Sequence, residues 1–254
     1  MPDLQKKIIE VNHVGAMSMI YCVDDFRLMI LNQKDGEHSI SMAKNCLNVV
    51  GGSFIGEAAK KDKNPLATVT RHLQFKLSLI GERPVDDTVL KELDLIDVVQ
   101  NRQNKQNIVD VKSADERELA EIKNRIISNT VPFGDYLLTT PAGVINETKP
   151  IKVIFSYFTS PVDIKDWQAL KRLYAKYETL SSVDEVKIVN FQSILDSGQN
   201  FAFGHDIAVR NFLSQGAADL VEMPMVQGVK GEFIGCARDF YQDYFNEFDV
   251  LLHP

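Results

Sequence analysis

A short strand-like run that leads into a pair of glycines is the feature that most constrains the fold of this chain. Leu47-Asn48-Val49-Val50 is typical of a buried strand, and Gly51-Gly52 follows it directly. A helix start comes later, because Asn64 suits the N-cap and Pro65 suits the first helical position. The next apolar residues recur at the spacing of one buried helix face, namely Leu66, Val69, Leu73, Leu77 and Ile80. The sequence therefore predicts a strand, a glycine turn and an amphipathic helix in succession.

Apolar runs elsewhere in the chain predict further strands and helices. Val14 to Val23 and Phe26 to Leu31 flank the polar Asp24-Asp25 and indicate an early β-hairpin. Composition predicts later strands over 133–139, 151–158 and 186–191, and later helices over 163–180, 191–195 and 207–213. This order of elements is an α/β pattern, without the regular alternation of a doubly wound sheet.

Two segments differ in composition from the rest of the chain. Residues 81–131 are charged and helical in pattern, most clearly from Asp115 to Ile127, and we interpret them as a helical insertion that packs on the main domain. Residues 215–254 are interpreted as a C-terminal helical extension, in which Gly231 to Phe248 predicts an aromatic amphipathic helix. That helix could dock on the domain or form a homodimer or protein-partner interface. We expect residues 1–254 to form a single domain.

Composition limits the class of protein and its partners. The apolar content of 44% suits a globular core, and no apolar run reaches the roughly 18 residues of a membrane-spanning helix. A net charge of −7 disfavours binding to nucleic-acid phosphates. Three widely spaced cysteines match neither a disulfide framework nor a zinc pattern, and the N-terminus lacks a signal-peptide apolar region. We therefore expect a cytoplasmic protein that binds neither membrane nor nucleic acid.

The strand, glycine pair and helix together resemble the Nudix box of the Nudix hydrolase superfamily. That box combines a glycine loop, a glutamate and a helix with the pattern Arg-Glu-apolar-x-Glu-Glu. Arg71 and Leu73 match the arginine and the apolar position. The three glutamates of the helix fall instead on His72, Phe75 and Lys76. The box is therefore degenerate at the positions that carry its chemistry.

The resemblance extends into the second half of the chain. Residues 186–195 are similar to the family's last strand and the turn after it, and residues 203–207 are similar to the start of its C-terminal helix. The matching stretches cover 14–80 and 150–213, and they leave the insertion and the tail outside. The resemblance implies a Nudix-like α/β/α sandwich with a mixed sheet.

The family's reaction is attack by water on a diphosphate, with divalent cations that neutralise the phosphates. Magnesium needs oxygen ligands, and carboxylates at i, i+3 and i+4 supply them because they share one helix face. His72, Phe75 and Lys76 do not provide such ligands. Glu57 is the candidate carboxylate near the glycines, for catalysis and for a metal, although the loop before Arg71 is longer than the family's. We therefore expect standard hydrolysis to be impaired or absent.

A second stretch nearly repeats the core of the box. Arg117-Glu118-Leu119-Ala120-Glu121 contains Arg-Glu-apolar-x-Glu, but no glycine loop precedes it. A solvated helix face with paired charges explains such a run, and the alternative is that Glu118 and Glu121 bring carboxylates to the cleft.

Three functions remain open from the sequence. The first is a nucleotide-binding or regulatory module without standard hydrolysis, in which a nucleoside diphosphate-type ligand is bound by Gly51, Gly52, Arg71, His72, Phe75 and Lys76. The second is an active Nudix-type hydrolase of diphosphate bonds that uses Mg or Mn and carboxylates from elsewhere, such as Glu57, Glu118, Glu121 or Glu147. The third is a structural protein-interaction module.

Overall fold

The computed structural model of the chain describes residues 8–34, 46–54, 62–79, 113–142, 149–177, 184–190, 194, 201–216, 229–235 and 249–252. Within these residues the chain is an α/β protein. Its strands are β1 Ile8–Val11, β2 His13–Cys22, β3 Asp25–Lys34, β4 Leu47–Ser53, β5 Val131–Thr140, β6 Ile151–Val162, β7 Asp184–Asn190, β8 Lys230–Gly235 and β9 Asp249–Leu252. Its α-helices are α1 Pro65–Lys76, α2 Ser113–Ser128, α3 Ile164–Lys176 and α4 His205–Gly216.

A mixed sheet of seven strands, in the order β7-β3-β4-β2-β6-β5-β8, forms the centre of the fold. The neighbours β2 and β6 are parallel, and their register runs from His13 opposite Val153 to Cys22 opposite Val162. The other neighbouring pairs in this sheet are antiparallel. The strands β1 and β9 form a separate parallel pair. The sheet therefore combines a central parallel pair with antiparallel strands on both sides.

Helices cover both faces of the sheet. Because side chains alternate along a strand, Met19 and Ile20 of β2 lie in two different apolar clusters. Ile20 packs in the cluster that contains residues of α1, α2 and α3, so we name this side the three-helix face. Met19 packs in the cluster that contains residues of α4 on the opposite face. The core is thus two apolar layers with the sheet between them.

Both ends of α1 are held by side chains. The Asn64 carboxamide accepts a hydrogen bond from the backbone N–H of Ala67 at 2.7 Å, as an N-cap does. At the other end, the Tyr174 hydroxyl donates to the carbonyl of Leu77 at 3.1 Å. The Lys123 ammonium donates to the Ser78 hydroxyl at 3.1 Å. A cation there also interacts favourably with the negative end of the helix dipole. Helices α2 and α3 therefore fix where α1 ends.

Most of the predicted elements are confirmed. The early hairpin is β2–β3, and the predicted strands and helices over 133–139, 151–158, 186–191 and 207–213 lie in β5, β6, β7 and α4. The helix predicted over 163–180 is α3, and the residues after 177 lie outside the described residues. Of the helix predicted over 191–195, Ile194 alone is described, and it is helical.

Three details of the predicted glycine–helix unit are wrong. Leu66 is 40% exposed, so it does not belong to the buried face formed by Val69, Leu73 and Leu77. The glycine pair lies inside β4 and not in a turn after it. Helix α1 ends at Lys76, before the last two apolar positions of the pattern, Leu77 and Ile80, and Ile80 lies outside the described residues.

The predicted helix in the C-terminal extension is also wrong wherever the structure describes it. Lys230–Gly235 forms β8, which pairs antiparallel with β5, and Asp249–Leu252 forms β9. The aromatic rings of Phe233 and Tyr136 meet across β8 and β5 at 5.6 Å. Strand pairing therefore overrides the helical spacing of the aromatic residues here. The rest of the predicted helix, 236–248, lies outside the described residues.

The predicted helical insertion contains one described helix, α2, which is part of the main core. Leu119, Ile122 and Ile126 are buried in the apolar cluster of the three-helix face. Three buried hydroxyls also join the end of this helix to the sheet, with distances of 2.6 Å from Ser160 to Ser18 and from Ser160 to Thr130. Residues 81–112 lie outside the described residues, and Val131 already belongs to β5. No helix in the described ranges has the length and apolar character needed to cross a membrane.

Candidate functional site

The glycine pair serves the close packing of β4 against its neighbours. A Cβ atom on Gly51 would lie 2.2 Å from the carbonyl oxygen of Ala16 on β2. A Cβ atom on Gly52 would lie 2.3 Å from Cε1 of His72 on α1. Both distances are far below normal contact, so any larger residue would force the strand away from β2 or from α1. The glycines are therefore explained by packing within the fold.

Arg71 is bound on three sides near the end of β4. Its Nε and Nη2 atoms donate to the two carboxylate oxygens of Asp62 at 3.1 and 2.6 Å. Nη2 also donates to the carbonyl of Ser53 at 2.9 Å, and the Thr68 hydroxyl donates to Asp62 at 2.9 Å. We name this set, Arg71 with Asp62, Thr68 and the Ser53 carbonyl, the Arg71 brace. It ties the chain before α1, the helix itself and the end of β4 together.

Asp62 is the residue of the site that sequence reasoning missed. Its side chain is 4% exposed, which fits a charge that is paired with Arg71. The sequence offered one signal, a carboxylate just before the N-cap Asn64. Glu57, the carboxylate predicted for this region, lies outside the described residues.

His72 lies in the interior, against Gly52. The side chain is 5% exposed, and its Nε2 atom is 3.3 Å from the carbonyl of Ser53. Burial, followed by the nearby charges of Lys76 and Arg71, lowers the pKa of His72 well below its ordinary value. The ring is therefore neutral at neutral pH. Nε2 also lies 3.4 Å from Nη1 of Arg71, so the tautomer of the ring decides whether Nε2 donates to Ser53 or accepts from Arg71. Among the described residues, Nδ1 has no hydrogen-bond partner.

The two remaining positions of the degenerate box differ in exposure. Phe75 is buried, at 3% exposed, and is a core residue. Lys76 is the last residue of α1, and it is half-buried. Of the three positions that carry glutamate in the family's pattern, the structure thus buries His72 and Phe75 and leaves Lys76 partly accessible. In the part of the chain that the structure describes, no three His, Cys, Asp or Glu side chains come close enough to hold a metal ion.

The charged residues of α2 make contacts with α3. The Glu118 carboxylate accepts a hydrogen bond from the guanidinium of Arg172 on α3. The hydroxyl of Tyr177, just after α3, donates to Asp115 at 2.5 Å. Glu121 is exposed on the same helix. Asp115 and Glu118 therefore dock α2 on the α3 region, and Glu147 lies outside the described residues.

A second polar group lies on the opposite face of the sheet. His205 begins α4 and is fully buried, and its Nδ1 atom is 2.6 Å from the Tyr157 hydroxyl. Burial raises the pKa of Tyr157 well above its ordinary value, so this hydroxyl keeps its proton. Asp206 is also buried and pairs with Arg210 one turn later, at 3.1 Å. This group anchors α4 on the sheet and is separate from the Arg71 brace.

Comparison with known proteins adds no relative to these observations. The chain matches no protein-family model, and no curated protein matches it either.

The close contact between Gly52 and His72 predicts a specific coupling. We expect Gly52→Ala to lower the free energy of unfolding by about 1–3 kcal/mol, because the new methyl group overlaps the imidazole ring. In a Gly52→Ala/His72→Ala double variant, the total loss should be smaller than the sum of the two single losses. Urea unfolding measures both effects, and the neighbouring exposed Ser53→Ala is the control. Strictly additive losses would show that the two residues do not touch.

The lowered pKa of His72 predicts an acid-sensitive stability. Below the ordinary histidine pKa of 6.5, the unfolded chain binds a proton that the folded His72 resists, so stability is complete above that pH and falls as pH decreases. Between pH 7.5 and 5.5, the wild type should lose about 1 kcal/mol more than His72→Phe. His13, whose pKa burial also lowers, is present in both proteins and cancels. Equal losses in urea unfolding at the two pH values would contradict the prediction.

Proposed function

We propose that this chain is a Nudix-like protein that binds a nucleoside diphosphate-type ligand, or acts as a regulatory module, without standard metal-dependent hydrolysis. The observation that carries the proposal is that residues at the degenerate box positions pack in the core or pair with other protein residues. His72 and Phe75 lie in the core, and Arg71 is neutralised by Asp62. Two of the three positions that would hold magnesium in the family's pattern, His72 and Phe75, are here used to dock α1.

The chemistry of Lys76 supports binding rather than hydrolysis. A protonated lysine repels a divalent cation and offers no lone pair to it. The same charge attracts a phosphate and can donate to its oxygens. Lys76 acts electrostatically on the buried His72, and the exposed Ser53 adjoins the same histidine. A diphosphate bound at this end of α1 would therefore contact the lysine ammonium group directly, without a bound metal ion between them.

Binding and turnover are tested separately. We expect no hydrolysis of a panel of nucleoside diphosphate-linked compounds with either Mg or Mn. Isothermal titration of a nucleoside diphosphate should show binding that Lys76→Glu weakens about tenfold, since loss and reversal of one phosphate contact cost about 1.4 kcal/mol. Lys171→Glu, an exposed lysine on α3, is the matched control and should leave the affinity unchanged.

The outcomes distinguish the three functions. Metal-dependent turnover that Glu57→Gln abolishes would replace the proposal with an active hydrolase built on other carboxylates. Equal affinities of wild type and Lys76→Glu would reject Lys76 as a phosphate contact. Failure to bind any compound of the panel would favour a structural protein-interaction module.

A further inference from the structure

Two asparagines lie opposite each other in the interior of the sheet. Asn32 of β3 and Asn48 of β4 are direct cross-strand partners, and they are 0% and 4% exposed. Ile30 and Val50, two residues away on the same strands, belong to the apolar cluster of the three-helix face. Because alternate residues of a strand share a face, both carboxamides project into that cluster. Two buried amide groups therefore lie on the three-helix face of the sheet.

The part of the chain that the structure describes leaves hydrogen-bonding groups of this pair unsatisfied. Nδ2 and Oδ1 of Asn32 and Oδ1 of Asn48 are buried and have no hydrogen-bond partner among the described residues. On the same face, the hydroxyls of Ser18, Ser160 and Thr130 bond to one another, whereas Nε1 of Trp167 also has no partner among the described residues. Buried polar groups in folded proteins are nearly always paired with protein or with ordered water. Since no described protein atom bonds to the asparagine pair, ordered water is the other partner that buried polar groups use.

We propose that Asn32 and Asn48 form an internal binding site for ordered water. The ligand has to accept a hydrogen bond from Asn32 Nδ2 and donate to the two Oδ1 atoms, and water does both. It has to be small, because all three atoms are closed to solvent. It has to be neutral, because the surrounding cluster is apolar and a bare ion there would lose its hydration.

Such a site would also help to fix the register in which β3 pairs with β4. Water can bridge the two amides when Asn32 stands opposite Asn48, as it does in this register. A slip of one residue would turn one asparagine to the other face of the sheet and break the bridge. The pair therefore favours the observed register over its neighbours.

The test combines the detection of bound water with a substitution for which the direction of the change in melting temperature is informative. In the wild type, the side-chain amide protons of Asn32 should show a rotating-frame Overhauser contact to a long-lived water. Asn32→Leu keeps the size of the side chain but displaces the water, which leaves Asn48 Oδ1 unsatisfied. We expect its melting temperature to fall by about 3–6 °C. Asn32→Leu/Asn48→Leu should recover part of that loss, and the exposed Asn124→Leu is the control.

Each other outcome overturns the proposal. A higher melting temperature for Asn32→Leu would mean that the amides have no partner and that removing one relieves a cost. A loss of stability without any water contact in the wild type would mean that the two asparagines bond directly to each other. The water measurement needs no variant, so it decides the question even if a substituted chain does not fold.

Discussion

The ion pair between Arg71 and Asp62 is the interaction on which the position of α1 depends. It joins a residue before the helix to a residue in its second turn, and Arg71 also reaches the last residue of β4. Asp62 is almost fully buried, so each partner keeps the other from being an isolated charge in the interior. With this brace closed, His72 fits against Gly52, and Val69 and Leu73 fill the apolar layer of the three-helix face. At its other end the helix is held by Lys123 and Tyr174.

This docking and the family's metal chemistry make opposite demands on the same residues. A magnesium site needs several carboxylates on one accessible helix face, in contact with water and phosphate. In this chain two of those positions, His72 and Phe75, are buried in the core. The third, Lys76, is positively charged, as is the magnesium ion that it would have to bind. The lowered pKa of His72 follows from the same burial. The burial of this helix face in the core is consistent with the binding function proposed above.

Local signals in the sequence predict much of this structure, and long-range pairing explains what they miss. The cap at Asn64 and the proline after it correctly predict the start of α1, as the apolar runs predict β2, β5 and β6. The partner of Arg71 could not be read in the same way, because no local pattern relates an arginine inside a helix to a carboxylate nine residues earlier. The β8 strand was predicted as helix, since its conformation depends on pairing with β5. Likewise, nothing local shows that Gly52 faces a histidine twenty residues later.

A double-mutant cycle on the Arg71 brace tests the central claim most directly. The free energy of unfolding would be measured in urea for the wild type, Asp62→Asn, Arg71→Gln and the double variant. If the brace holds α1 on β4, each single change should cost about 3 kcal/mol, and the double variant should cost clearly less than their sum, with a coupling of at least about 1.5 kcal/mol. Costs below about 0.5 kcal/mol, or strict additivity, would show that the pair does not fix the helix.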